Sequence, residues 1–167
     1  MEKMIHLAAQ YLAAAGISFV EKQDDDSHTN LGFSIAKSCM KTHPLSENVD
    51  VLSLDYKTFS LNWNSDRGST SFPLDGATHI DVLSWLKGTS KTFLNKSFRY
   101  EFHYELPYEI SDNFMFSLSD TSKLEELLQL RILAQRTLEE TLSKTQLVSP
   151  IRVWPHHFDS GAYARLK

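Results

Sequence analysis

Val49-Asp50-Val51-Leu52-Ser53-Leu54-Asp55-Tyr56 runs through Lys57-Thr58 into Phe59-Ser60-Leu61-Asn62-Trp63. Apolar and polar residues alternate, and Asp55-Tyr56-Lys57-Thr58 carries turn chemistry, so the stretch reads as a β-hairpin. Period-two patterning extends outward on both sides. Leu31, Phe33 and Ile35 alternate with Gly32, Ser34 and Ala36, which predicts a strand over about 31–39. Ser71 to Leu74 predicts a short edge strand, where Pro73 is tolerated because an edge needs no donor there. Further on, Phe98, Tyr100, Phe102, Tyr104 and Leu106 alternate with Arg99, Glu101, His103 and Glu105, the clearest strand pattern in the chain.

Three helices interrupt these strands. Met4, Leu7, Ala8, Tyr11, Leu12 and Ala15 follow three-four spacing over 2–15, with Lys3, His6 and Gln10 on the opposite face. Gly16 is the expected stop and Ile17–Val20 an extended continuation. Thr78 with Asp81 resembles a capping box for a second helix, with Ile80, Leu83, Leu86, Ser90 and Phe93 inward. Ser122 with Glu125 is the predicted cap of a long helix over about 121–145. Pro150 stops any continuation, and Ile151 to Trp154 reads as a last strand. The expected fold is therefore α+β: a single domain with a largely antiparallel sheet of about 5–6 strands against three helices.

With 167 residues, 41% hydrophobic and 23% charged, the composition is that of an ordinary globule. A net charge of −4 argues against a protein dedicated to nucleic acid, since phosphate binding needs a basic face. The loose cluster Lys87, Lys91, Lys96 and Arg99 reads as a solvated edge. The single cysteine, Cys39, excludes an internal disulfide and fits a reducing compartment. No window approaches the roughly 18 apolar residues of a membrane span. His6, Gln10 and Tyr11 interrupt any signal-peptide core, so the expected location is cytoplasmic, with no membrane association.

Chemistry concentrates in Ser149-Pro150-Ile151-Arg152-Val153-Trp154-Pro155-His156-His157-Phe158-Asp159. Imidazole and carboxylate suit a divalent metal such as Zn or Mn, which makes His156, His157 and Asp159 candidate metal ligands. On an extended chain His157 and Asp159 share one side and His156 and Phe158 the other. His28, or an Asp of the 24–26 loop, is the remote group expected to complete such a site. His28, Arg152 and Trp154 are the candidate ligand contacts, Arg152 for an anionic group. The competing reading packs one imidazole, exposes the other and uses Asp159 to cap a turn before Gly161. Trp154-Pro155 is expected trans, although a cis bond would aim both imidazoles sharply inward.

Other constellations fail on spacing. The Asp24–Asn30 loop alternates like a calcium loop, but Thr29 and Ile35 stand where Gly and Glu belong. Glu101 and Glu105 on one strand face are about 13 Å apart, too far for a shared-proton dyad. Cys39 and His43 meet the same limit, and no nucleophile elbow or phosphate-cradling loop occurs.

Two blocks carry a likeness. His28-Thr29-Asn30-Leu31-Gly32-Phe33-Ser34 leads through Lys41-Thr42-His43-Pro44-Leu45 to Val49–Tyr56, and Ser149-Pro150-Ile151-Arg152 leads to Phe158-Asp159. In order and spacing these resemble an uncharacterised bacterial family of unknown function, over about residues 28–160. The resemblance implies an α+β fold and no activity. This chain departs from it at Pro155-His156-His157, where that family has aromatic and small residues. The family also continues well past its Phe-Asp pair, so no site that depends on that stretch is carried over. The functional expectation is a small-ligand or metal-binding protein. Its alternatives are a non-catalytic interaction module, forming a homo-oligomer through the long helix or an exposed strand, and a metal-dependent hydrolase.

Overall fold

A computed structural model describes residues 1–106 and 108–164. The elements follow in the order α1 (Glu2–Phe19), β1 (Gly32–Ser34), β2 (Cys39–Lys41), β3 (Val51–Asp55), β4 (Ser60–Ser65), β5 (Gly68–Pro73), α2 (His79–Leu94), α3 (Thr121–Thr145), β6 (Ile151–Trp154) and β7 (Asp159–Ala162). Strands β1 to β5 form an antiparallel meander in sequence order, while β6 and β7 make a separate hairpin. The class is α+β, as the patterning requires.

Register explains why the meander has one dry face. Phe33, Met40, Leu54, Leu61 and Phe72 are directly paired across the five strands, and Leu52 stands opposite Trp63. The intervening row, Lys41, Ser53, Asn62 and Ser71, turns to the opposite face. The predicted strand over 31–39 is two short strands, because the chain turns at Ile35–Ser38 and Ser38 takes a left-handed φ of 51°. Alternation continues through such a turn, so periodicity alone does not reveal it. The final hairpin joins the β1 edge through a single bridge, in which Leu31 and Val153 exchange backbone hydrogen bonds of 2.9 and 2.8 Å.

Helix α1 is buried on nearly every side. Ile5 and all of Leu7 to Gly16 are buried, including the amide of Gln10. The predicted polar face of Lys3, His6 and Gln10 is thus packed in its second half: Gln10 is buried and His6 partly buried, while Lys3 stays exposed. Pro155 and Phe158 of the hairpin turn, Tyr108 and Phe114 lie against this face, and Tyr104 reaches Gln10. Residues 98–106 pair with no strand and bend at His103–Tyr104, so the expected strand is a strap along α1. Phe98 stacks near Phe19, Tyr100 near Tyr11, and Ser18 Oγ bonds both the amide and the carbonyl of Arg99. An extended chain shows period two against any dry surface, whether sheet partner or helix flank.

The helix boundaries depart from expectation in informative ways. Thr78 and Asp81 form the predicted capping box of α2. Its buried face is rotated, however: His79, Val82, Leu86, Thr89 and Ser90 face inward and Ile80 is exposed. The cap of α3 is Asp120, whose carboxylate accepts the Lys123 amide at 2.9 Å, and not Ser122. Helix α1 runs past Gly16 to Phe19. Gly16 is needed for close approach: a Cβ there would lie 2.6 Å from the backbone oxygen of His28. Among the described residues, no helix is long and apolar enough to cross a membrane.

Gly16→Ala tests that contact. Overpacking against backbone costs about 1–3 kcal/mol, and the gain in helix propensity offsets about 1 kcal/mol of it. A net loss of order 1 kcal/mol is expected in urea denaturation. Unchanged or increased stability would show that the His28 segment yields freely.

Candidate functional site

The four-residue turn Pro155 to Phe158 joins β6 and β7, and packing from three elements holds it in place. Gln10 Nε2 and His6 Nε2, both on α1, donate to the Pro155 carbonyl, each at 2.7 Å. The Gln10 carbonyl in turn accepts from the Tyr104 hydroxyl at 2.8 Å. Strap, helix and hairpin therefore meet at one buried amide. Phe158 adopts a left-handed φ of 62°, unfavourable for a bulky residue, and its amide donates to the Trp154 carbonyl at 2.7 Å. The His6 ring stacks on Phe158 at 4.8 Å, and the Arg131 guanidinium covers it at 4.7 Å while donating to its carbonyl. All described peptide bonds are trans, Trp154-Pro155 included.

Two clefts flank this hairpin. The first, about 740 Å³, is lined by Asp26, His103, Tyr104, His156, His157 and Asp159, among others. The expected cluster does come to one wall, but through a turn and not along an extended strand. The His156 and His157 rings lie 4.2 Å apart, and His156 stands 5.4 Å from Tyr104. Facing them, His103 Nε2 is 3.2 Å from an Asp26 carboxylate oxygen. Desolvation, followed by the charge of His157, pushes the His156 imidazole below its ordinary pKa.

His28 does not join this group. It is buried in the 3-10 turn Ser27–Thr29, where its Nδ1 accepts the Gln23 amide at 3.4 Å, and it lies outside the cleft lining. The acidic loop reaches the cleft instead, through Asp25 and Asp26. Among the described residues, no three His, Cys, Asp or Glu groups are grouped closely enough to hold one metal ion.

Arg152 lies in the second cleft, of about 490 Å³, together with Asn30, His43 and Ser149. Adjacent strand residues face opposite ways, so Val153 enters the core while Arg152 and Trp154 turn to the clefts. His43 Nε2 donates to Asn30 Oδ1 at 2.9 Å and to the Ser27 carbonyl at 3.1 Å. Burial, and then the neighbouring Arg152 charge, holds His43 below its ordinary pKa. Trp154, Tyr163 and Asp25 line both clefts, and the two aromatic rings meet edge to face at 5.5 Å. The hairpin thus carries an aromatic ridge between two hollows that both hold ionisable groups.

Sequence reasoning did not include Asp26 with His103, or His43 with Asn30, as site pairs. Each pair spans loops brought together only by folding, and no local spacing marks it. In comparison with known proteins, no family model, curated protein or solved structure matches the chain.

Five of the seven histidines, His6, His28, His43, His79 and His156, are held below the ordinary imidazole value of 6.5, chiefly by desolvation. The folded state thus binds fewer protons than the unfolded chain. Their contribution is complete above pH 6.5 and is lost as pH falls below it. The melting temperature is expected to stay level above about pH 7 and to drop as pH falls from about 6.5 to 5. A flat or rising profile would contradict the desolvated, neutral state of these rings.

Proposed function

We propose that this protein binds a small ligand across the Trp154–Tyr163 ridge, with the ionisable groups of the two clefts reading its ends. The observation that carries this reading is the shared wall: Trp154, Tyr163 and Asp25 border both hollows. Small-ligand sites combine aromatic surface with a few convergent polar groups, and this hairpin presents both. Tyr163 is 83% exposed, leaving its ring free to cover a bound molecule. On the His side, imidazoles and carboxylates offer donors and acceptors within one hollow.

A panel of small carboxylates, phosphates, amines and sugars, with Zn²⁺ and Mn²⁺ as separate arms, tests this by thermal shift. Tyr163→Ala serves as the site control, because substitution of so exposed a residue is expected to leave stability within about 0.5 kcal/mol. The expected result is at least one compound whose stabilisation is several-fold smaller in Tyr163→Ala. If no compound acts through the ridge, the reading fails. A metal arm in which His157→Ala matches the unaltered protein would remove the metal form of the proposal.

A second reading, self-association, is favoured by α3. Leu130 and Leu133 are 54% and 61% exposed, and Leu127, Ala134 and Leu138 border a separate hollow of about 700 Å³. Apolar surface of this kind marks contact faces. Light scattering over a concentration series distinguishes the two, since a constant monomer mass argues against the interface.

A further inference from the structure

Arg152 has, among the described residues, none of the partners that a half-buried guanidinium normally has. Among the described residues it makes no ion pair and no side-chain hydrogen bond. Desolvation alone depresses its pKa, with no carboxylate opposing. Arginine does not escape burial by losing its proton, so its charge stays in place. Asp25, the one acid bordering the same cleft, gives an oxygen to the Ser27 amide at 3.0 Å and makes no ion pair with Arg152. Arg152 thus borders the hollow with no counter-charge paired to it among the described residues.

Its neighbours supply more donors than acceptors. Asn30 commits its carbonyl oxygen to His43, while its amide NH2 makes no bond within the described residues. Asn30 is itself buried and borders the cleft, so this NH2 is the donor it has left to offer there. Ser149 already donates its hydroxyl to the Pro150 carbonyl. A second cation lies close by: Arg152 Nη1 and Lys41 Cε stand 3.3 and 3.5 Å from where a Gly32 Cβ would be. Lys41 makes no ion pair among the described residues either. Gly32 leaves the room in which both cationic side chains fit.

From these contacts we infer that the cleft between His43 and Arg152 is an oxyanion subsite. It would hold the phosphate or carboxylate group of the ligand on the Arg152 fork, with the Asn30 amide as second donor. The inference rests on the ligand-binding reading above and gives that ligand one negatively charged end. A planar fork matches two oxygens of either group, which a lysine at the same position does not.

The test measures melting temperature against inorganic phosphate, and separately against acetate, at constant ionic strength with chloride as balance. A saturable shift with either anion is expected. Arg152→Met keeps much of the aliphatic stem and should abolish the shift. Arg152→Lys keeps the charge without the fork and should weaken it at least tenfold. His157→Ala, in the other cleft, should leave it unchanged. Saturation by phosphate alone identifies a phosphate-bearing ligand, and by acetate alone a carboxylate; either supports the subsite. No saturable shift, or equal shifts in the unaltered protein and a folded Arg152→Lys, overturns it. If Arg152→Met does not fold, Arg152→Lys alone decides. A panel compound that still stabilises Arg152→Lys fully through Tyr163 would overturn the subsite while leaving the ligand-binding reading intact.

Discussion

Gln10 sits fully buried on α1, its amide bonded at one end to the Pro155 carbonyl and at the other to the Tyr104 hydroxyl. An amide placed in an apolar interior costs about 1–3 kcal/mol when a partner is missing, so both contacts favour this arrangement, even though Nε2 also reaches the His6 carbonyl at 3.3 Å. The consequence is geometric: one side chain ties helix, strap and hairpin together. His6 adds a second donor to the same carbonyl and stacks on Phe158, which helps hold that residue in its left-handed conformation. The positions of His156, His157 and Trp154 follow from this anchor.

The hairpin's charges are arranged unevenly. On the His103 side, acids and imidazoles face one another, and Asp26 has His103 as its partner. On the Arg152 side, cations outnumber acids close at hand, and the histidine beside them is kept neutral by burial and by the arginine itself. Neutrality there lets His43 serve as a hydrogen-bonding brace for Asn30 and not as another competing charge. The aromatic pair Trp154–Tyr163 separates the two environments, so a molecule spanning the ridge meets a different polarity at each end.

Most of the architecture is legible from periodicity. The hairpin over 49–63, the long helix after Asp120 and the short strand at Ile151–Trp154 need only alternation, three-four spacing and a proline. The misreadings share a physical cause. Alternation over 98–106 reports side chains laid on a dry surface, and a helix flank offers such a surface as readily as a neighbouring strand. The polar-looking residues His6 and Gln10 report hydrogen-bonding capacity, which a buried helix also uses when partners are supplied from elsewhere. Gly16 looks like a helix stop because glycine usually ends helices, yet here the need is for room beside the His28 carbonyl.

Local sequence was sufficient for the α+β class and for locating ionisable groups beside aromatics near the carboxyl end, because both depend on residue order over a few positions. Which groups share a hollow depended on contacts between segments distant along the chain. His28 was turned away from the cluster, Asp26 and His103 entered it, and Arg152 was assigned to a neighbouring cleft with Asn30 and His43. Those outcomes depend on how a four-residue turn closes and on which carbonyl a buried amide finds, and neither is encoded in spacing along the chain.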